Sequence, residues 1–144
     1  MADLFRIISK INTEMNIFIR NRLEQEGYSN LHVSHGNILI NFTNDEVLNY
    51  KELSKRINKS PQTMTTLIRT LEQEGFLTFR KDPNDKRNKL VSITDKGKEF
   101  IPVMMKISRE LYDIQYKHLS SEEKVAVRSL LKTILENFLV TKEV

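Results

Sequence analysis

The tightest constraint on this chain lies between Leu48 and Gly75, where the end signals of two helices stand only three residues apart. Asn49 is a favoured N-cap, Glu52 occupies the capping-box position three residues on, and Leu48 and Leu53 flank the pair as a hydrophobic staple. These signals predict a helix from near Tyr50 through Ile57. Asn58, Lys59 and Ser60 follow, then Pro61 at the first position of a second helix, where its missing N–H costs nothing and its φ is preset. Ser60 is thereby the second N-cap. Met64, Leu67, Ile68 and Leu71 recur at helical spacing as a core face, and Gly75 stands where a left-handed terminator is expected. Gln62, Thr63, Thr65, Thr66 and Arg69 share the opposite, hydrogen-bonding face.

Beyond Gly75 the period changes to two. Residues 76–81 and 89–94 read as strands around the turn Asp82-Pro83-Asn84-Asp85, and the turn gathers Arg80, Lys81, Lys86, Arg87 and Lys89 at its tip and shoulders. A helix, a short turn, a second helix and a basic hairpin in that order make a winged helix-turn-helix, a device for gripping duplex DNA. In that geometry the second helix enters the major groove with its N-terminal half leading. Ser60, Pro61, Gln62, Thr63, Thr65, Thr66 and Arg69 are therefore the candidate contacts on it. Gln62 suits adenine and the threonine methyls suit thymine, while Arg69, two turns in, suits a phosphate. On the wing, Arg87 is the candidate for a narrow A·T-rich minor groove, and Lys81, Lys86 and Lys89 supply phosphate attraction. Arg80 is expected to be tied to the body of the domain. Asp85 cannot favour phosphate, so it either pairs with and aims an arginine or closes the turn.

The charge distribution agrees with that placement. Residues 51–100 hold 12 Lys and Arg against 7 Asp and Glu, whereas residues 1–50 hold 4 against 6 and residues 101–144 hold 7 against 6. The positive excess thus lies where the two short helices and the hairpin lie. With no cysteine, a disulfide framework, a thiolate zinc site and a cysteine-based redox sensor are excluded. No stretch approaches a membrane-spanning run and the first residues lack a signal-peptide pattern, so a cytoplasmic protein without membrane contact is expected.

Long apolar stripes flank this unit. Residues 3–26 carry Leu4, Ile8, Ile11, Met15 and Phe18 at steps of four and three, a stripe on a helix about 36 Å long. Residues 95–118 carry Phe100, Val103, Ile107, Leu111 and Ile114, with Pro102 expected to bend the helix near its start. Ser120 and Glu123 form a capping box for a last helix with Val127, Leu130, Leu131, Ile134, Leu135 and Phe138. Helices this long and apolar at both ends read as a shared layer of a homodimer. Such a dimer would present two recognition helices roughly 34–36 Å apart and read a pseudo-palindromic site on double-stranded DNA. The expected fold is mainly α with a small antiparallel β-hairpin wing, an α+β winged helix in a single domain, 1–144. Residues 31–97 form the DNA-binding lobe (helix-turn-helix 50–75, wing 76–94), and 1–30 and 98–144 the dimerisation helices.

Three segments carry a family resemblance: Leu53-Ser54-Lys55-Arg56-Ile57, the run from Ser60 to Leu77, and above all Asp85-Lys86-Arg87-Asn88-Lys89-Leu90-Val91-Ser92-Ile93-Thr94-Asp95-Lys96-Gly97. They resemble the MarR family of bacterial transcriptional regulators, whose wing pattern is Asp-x-Arg followed by a strand ending in Thr-x-x-Gly. Lys86 departs from the second arginine of many members, and Asn37 from the glutamine common in the preceding helix. The resemblance implies the same dimer, an arginine-aiming role for Asp85, and an effector pocket where the DNA-binding lobe meets the dimerisation helices. Here that pocket would draw on Phe18, Arg22, Tyr112 and Tyr116 for a small aromatic or phenolic effector.

Other chemistry is poorly represented. His32, His35 and His118 could in principle bind a metal, with His32 and His35 at i, i+3, but Ser34 reads as a helix N-cap between them and favours a surface pair of histidines over a ligand pair, so no metal site is assigned. No nucleophile, base and orienting acid stand together, and no phosphate-cradling or cofactor motif is present, so no catalytic residue is assigned and an enzyme is not expected. Two functions remain. One is a dimeric sequence-specific DNA-binding regulator, a repressor relieved by a small ligand. The other is a winged-helix protein–protein interaction module of the antirepressor kind, without sequence-specific DNA binding.

Overall fold

A computed structural model describes residues 3–42, 47–57 and 59–142. Asn58, expected in the turn between the two short helices, lies outside them. The elements run α1 (Asp3–Gln25), α2 (Val33–Leu39), β1 (Leu48–Asn49), α3 (Tyr50–Arg56), α4 (Pro61–Gln73), β2 (Leu77–Lys81), β3 (Lys89–Ile93), α5 (Asp95–Gln115) and α6 (Ser121–Thr141). They fall into two compact units, Met1–Arg109 and Glu110–Val144, so the division comes inside α5.

The helix ends of the first unit follow the local chemistry. Asn49 Oδ1 accepts the Glu52 N–H at 2.7 Å while Glu52 Oε2 accepts the Asn49 N–H at 2.9 Å, a closed capping box for α3. Ser60 caps α4 ahead of Pro61, and Gly75 ends it with φ +79°, the left-handed region that a Cβ disfavours. The sheet, however, is larger than a hairpin. It has three strands in the order β1-β3-β2, all antiparallel, with Phe79 opposite Val91 and Leu48 on the other side of that same valine.

Its core joins the helix-turn-helix to the sheet and to the first half of α5: Leu39, Leu53, Ile68, Leu71, Leu77, Val91 and Phe100 are buried, as is Met64. Tyr28, Phe76 and Phe100 form a ring cluster with centroids 4.7 to 6.1 Å apart, in the edge-on and tilted arrangements that aromatic quadrupoles favour. At Gly36 a Cβ would lie 2.6 Å from Met104 Cε, so α2 and α5 meet through a glycine. Glu26 ties α1 to α5 through Lys106 at 2.9 Å and also accepts from Arg22 at 3.2 Å. The hydrogen bond and charge of Lys106 hold its carboxyl below the usual carboxylate range.

On α1 the residues buried within the chain are Ile19 and Leu23, and Leu4, Ile8 and Ile11 of the stripe assigned to a dimer layer are exposed in the single chain. Expectations for α4 and α2 need correction. Leu67 is only half-buried, whereas its neighbours Met64, Ile68 and Leu71 form the core face of α4. The cap of α2 is His32, not Ser34. His35 Nδ1 accepts the His32 backbone N–H at 2.9 Å, so an imidazole takes the reciprocal position that Glu or Gln holds in a capping box. His35 is 3% exposed, not a surface group, and burial, with His32 stacked beside it, pushes its pKa down to about 4.

In the second unit, Ser120 and Glu123 close the expected capping box on α6. Tyr112 and Tyr116, 4.6 Å apart, face Lys124 Nζ at 5.7 and 5.9 Å, which links the end of α5 to the first turn of α6. No residue of α6 is buried; Leu130 and Phe138 are 64% and 67% exposed. Among the described residues no helix is long and apolar enough to cross a membrane.

Candidate nucleic-acid interface

The sequence-derived contact residues of α4 share one surface. Ser60, Pro61, Gln62, Thr63, Thr65, Thr66 and Arg69 are all exposed, while Met64, Ile68 and Leu71 point into the core behind them. That division is the 3.6-residue period made physical. The hydroxyls of the face are already ordered. Ser60 Oγ donates to Thr63 Oγ1 at 2.9 Å and accepts the Thr63 N–H at 3.3 Å, the N-cap bond. Thr65 donates to the Pro61 carbonyl at 2.8 Å, Thr66 to the Gln62 carbonyl at 3.1 Å and Thr70 to the Thr66 carbonyl at 3.2 Å. A hydroxyl has one proton, so these threonines present outward chiefly acceptor lone pairs and methyl groups. The Gln62 amide and the Arg69 guanidinium supply donors.

The wing is shaped by two aspartates. Asp82 Oδ1 accepts the Asn84 N–H at 2.9 Å, and Asp85 Oδ1 accepts the Arg87 N–H at 3.0 Å. Backbone bonds from Asn88 N–H to the Asp85 carbonyl and from Asp82 N–H to the Asn88 carbonyl close the loop below them. Asp85 is therefore engaged in turn chemistry, holding the Arg87 backbone in place. Lys81, Lys86, Arg87 and Lys89 are exposed around it. So is Arg80, which the sequence reading tied to the body of the domain; its place opposite Leu90 on the outer strand β2 puts it with the wing cations instead.

A joint fixes α4 to the start of α5, and it gives the Thr-x-x-Gly pattern its physical content. Thr94 Oγ1 donates to the Gly75 carbonyl at 2.6 Å and accepts the Gly97 N–H at 3.1 Å, while the Thr94 N–H donates to the Phe76 carbonyl at 3.0 Å. A Cβ at Gly97 would meet the Phe76 carbonyl oxygen at 2.4 Å, so only glycine lets the backbones approach this closely. Lys96 Nζ donates to the Glu74 carbonyl at 2.6 Å, a cation on the C-terminal carbonyls of α4, and lies 4.7 Å from the Phe76 ring centre. Sequence reasoning left Lys96 without a role.

One further residue on this surface was missed. The Tyr50 hydroxyl lies 3.1 Å from Thr65 Oγ1, linking the first turn of α3 to the exposed face of α4 across 15 residues. A contact that distant in sequence leaves no periodic trace.

The four effector-pocket residues are distributed over both units. Phe18 is half-buried on α1, where Arg22 donates to Gln25 at 2.7 Å and to Glu26 at 3.2 Å. Tyr112 and Tyr116 belong to the second unit. Within the first unit a different open groove, about 420 Å³, runs between α1 and the start of α2, lined by residues including Asn16, Ile17, Arg20, Leu23, His32 and Ser34. Among the described residues no group of three His, Asp or Glu side chains is arranged to hold a metal ion.

Residues 33–89 match the model of the MarR family. The chain is 28% identical over 106 residues to the HTH-type transcriptional regulator SarZ of Staphylococcus epidermidis, an overlap of 74% of this chain and 71% of that protein. Its fold is similar to that of a mutant MarR from E. coli crystallised with operator DNA, with a TM-score of 0.74 and 22% identity over 92% of this chain and 93% of that one. BpsR of Bordetella bronchiseptica, whose DNA binding is regulated by 6-hydroxynicotinic acid, is similar in fold at a TM-score of 0.74 and 17% identity, covering 92% of each chain.

Proposed function

We propose that this chain, whose residues 33–89 match the MarR family model and which is 28% identical over 106 residues to the transcriptional regulator SarZ, is a transcriptional regulator of that family rather than an enzyme, and that it acts as a homodimer that binds pseudo-palindromic operators and represses from them until a small ligand releases it. The observation that carries this reading is the pairing, in one compact unit, of an ordered hydroxyl-rich face on α4 with an exposed cationic wing. The first suits base edges in a major groove; the second suits phosphates and the adjoining minor groove. Within it, Gln62 and the threonines of α4 read bases, Arg69 and the wing lysines meet phosphates, and Arg87 enters the minor groove.

Dimerisation is supported by the apolar surface of α6, where Val125, Leu130, Leu135 and Phe138 stand exposed in the single chain. Twofold pairing would match two half-sites on the DNA. Ligand release is supported by the α1–α2 groove, whose mixed lining and cationic Arg20 suit a small anionic aromatic molecule, and by the ligand regulation of BpsR.

Selection of bound fragments from a random duplex pool tests the reading. Recovery of a motif with two inverted half-sites about one helical turn apart is the expected result. Binding that is no tighter to any sequence than to random duplex, and indifferent to Arg87→Ala, overturns it in favour of a protein-interaction module.

A further inference from the structure

We infer that Tyr50 is a positioning residue for base reading: its phenol donates to Thr65 Oγ1 and holds that side chain in one rotamer on the DNA-facing surface of α4. The direction of the bond follows from proton counting. Thr65 has one hydroxyl proton and gives it to the Pro61 carbonyl at 2.8 Å, so in the 3.1 Å contact Tyr50 is the donor.

The arm that carries the phenol is fixed at its root. Tyr50 follows Asn49, which pairs with Leu90 in the β1–β3 ladder and closes the capping box with Glu52, and Ser54 Oγ donates to the Tyr50 carbonyl at 2.8 Å. The backbone at Tyr50 is thus held by the sheet on one side and by the first turn of α3 on the other. The ring is half-buried, whereas Thr65 is exposed. Through β3, the same ladder continues into the wing.

A threonine in a helix divides between two χ1 rotamers, and the two exchange what its hydroxyl and methyl present. An acceptor favours a base amino group, whereas a methyl favours thymine, so the rotamer decides the base. By holding Oγ1 between two partners, Tyr50 selects one rotamer before DNA arrives. It acts through Thr65.

This inference rests on the operator-binding reading, and a double-mutant cycle on the full chain separates the two. The probe is the tightest duplex recovered from a random pool, together with its single-base variants. With wild type, Tyr50→Phe, Thr65→Val and the double variant, Tyr50→Phe is expected to lower discrimination at one base position of each half-site by roughly 3- to 10-fold, the scale of one hydrogen bond. Thr65→Val lowers it at the same position, and the double variant is no worse than Thr65→Val alone. The salt slope and melting temperature of Tyr50→Phe stay at the wild-type values.

A wild type without sequence preference ends both readings. If the wild type discriminates, two outcomes overturn this one alone: an unchanged base profile in Tyr50→Phe, including one with affinity lowered equally for every sequence as a phosphate contact would give, or an effect that adds to that of Thr65→Val.

Discussion

Helices α4 and α6 begin alike and end in opposite circumstances. Each starts at a serine N-cap whose hydroxyl accepts the N–H three residues on, and each carries an apolar face. Yet α4 buries Met64, Ile68 and Leu71, whereas α6 buries nothing. The apolar face of α4 is covered within its own unit, so its polar face is committed to solvent and to whatever solvent is exchanged for. That of α6 is the broader of the two and is exposed in the single chain, which fits the proposed homodimer. Local signals specify where a helix starts; burial specifies what it is for.

The largest effects should expose this contrast. Leu71→Ala, at a fully buried position, should destabilise the fold by about 2–5 kcal/mol whatever the protein concentration. Leu130→Ala or Phe138→Ala on α6 should change the stability of an isolated chain by no more than about 0.5 kcal/mol, while shifting sedimentation toward monomer and making the melting temperature depend less steeply on concentration. Equal and concentration-independent losses from both helices would break the comparison.

Next comes pH. His35 is buried as the neutral imidazole, with a pKa near 4 against about 6.5 when unfolded. The unfolded chain therefore binds the extra proton first. Stability from this group is fully present above about pH 6.5 and falls as pH drops toward 4, by roughly 3 kcal/mol over the window. The charged neighbourhood does not reverse the sign, because His32 is the partner on the same cap and its own charge only opposes protonation further. Urea titrations from pH 4 to 7 should show this slope in the wild type and its loss in His35→Gln, whose amide oxygen can accept the His32 N–H in turn.

Much of the first unit was legible in the sequence because its signals are local. Asn49, Glu52, Ser60, Pro61 and Gly75 act within four residues of one another or of the turn they end, and the structure puts the helix ends where they point. The exposed polar face of α4 followed from period, and the exposure of Lys81, Lys86, Arg87 and Lys89 from the turn signals between the strands. What escaped has longer reach. Strand β1 has two residues, too few for alternation to register, and exists only because β3 lies beside it. On α1 two apolar sets compete, and period cannot say that Ile19 and Leu23 turn inward while Leu4, Ile8 and Ile11 do not. Likewise the histidine cap on α2, the Lys96 strut and the Tyr50 brace depend on groups that composition treats as surface.

Smaller effects distinguish holding α4 from touching DNA. Thr94→Val removes a hydroxyl that bridges the Gly75 carbonyl and the Gly97 N–H, and should cost about 1–3 kcal/mol of stability. It should weaken specific binding more than random binding, since it loosens the end of the reading helix without removing a positive charge. Lys96→Met should act similarly and more weakly, keeping an apolar side chain over Phe76 but losing the donor to the Glu74 carbonyl.

Arg87→Ala is the opposite probe. The side chain is exposed, and only its backbone N–H is held, by Asp85, so its loss should leave the melting temperature almost unchanged. Affinity for the selected operator should fall by about tenfold, the lower part of the range for a good base-edge or groove contact, and the slope of log affinity against log salt should flatten by about one. Substituting A·T pairs under the wing by G·C should reproduce the loss in the wild type and add nothing to it in Arg87→Ala, because the wider groove offers the guanidinium less negative potential. If the two losses add, the arginine is an ordinary phosphate contact and the wing reads no shape. Base selection would then rest on α4 alone, and the difference between the two helices would carry the whole of the specificity.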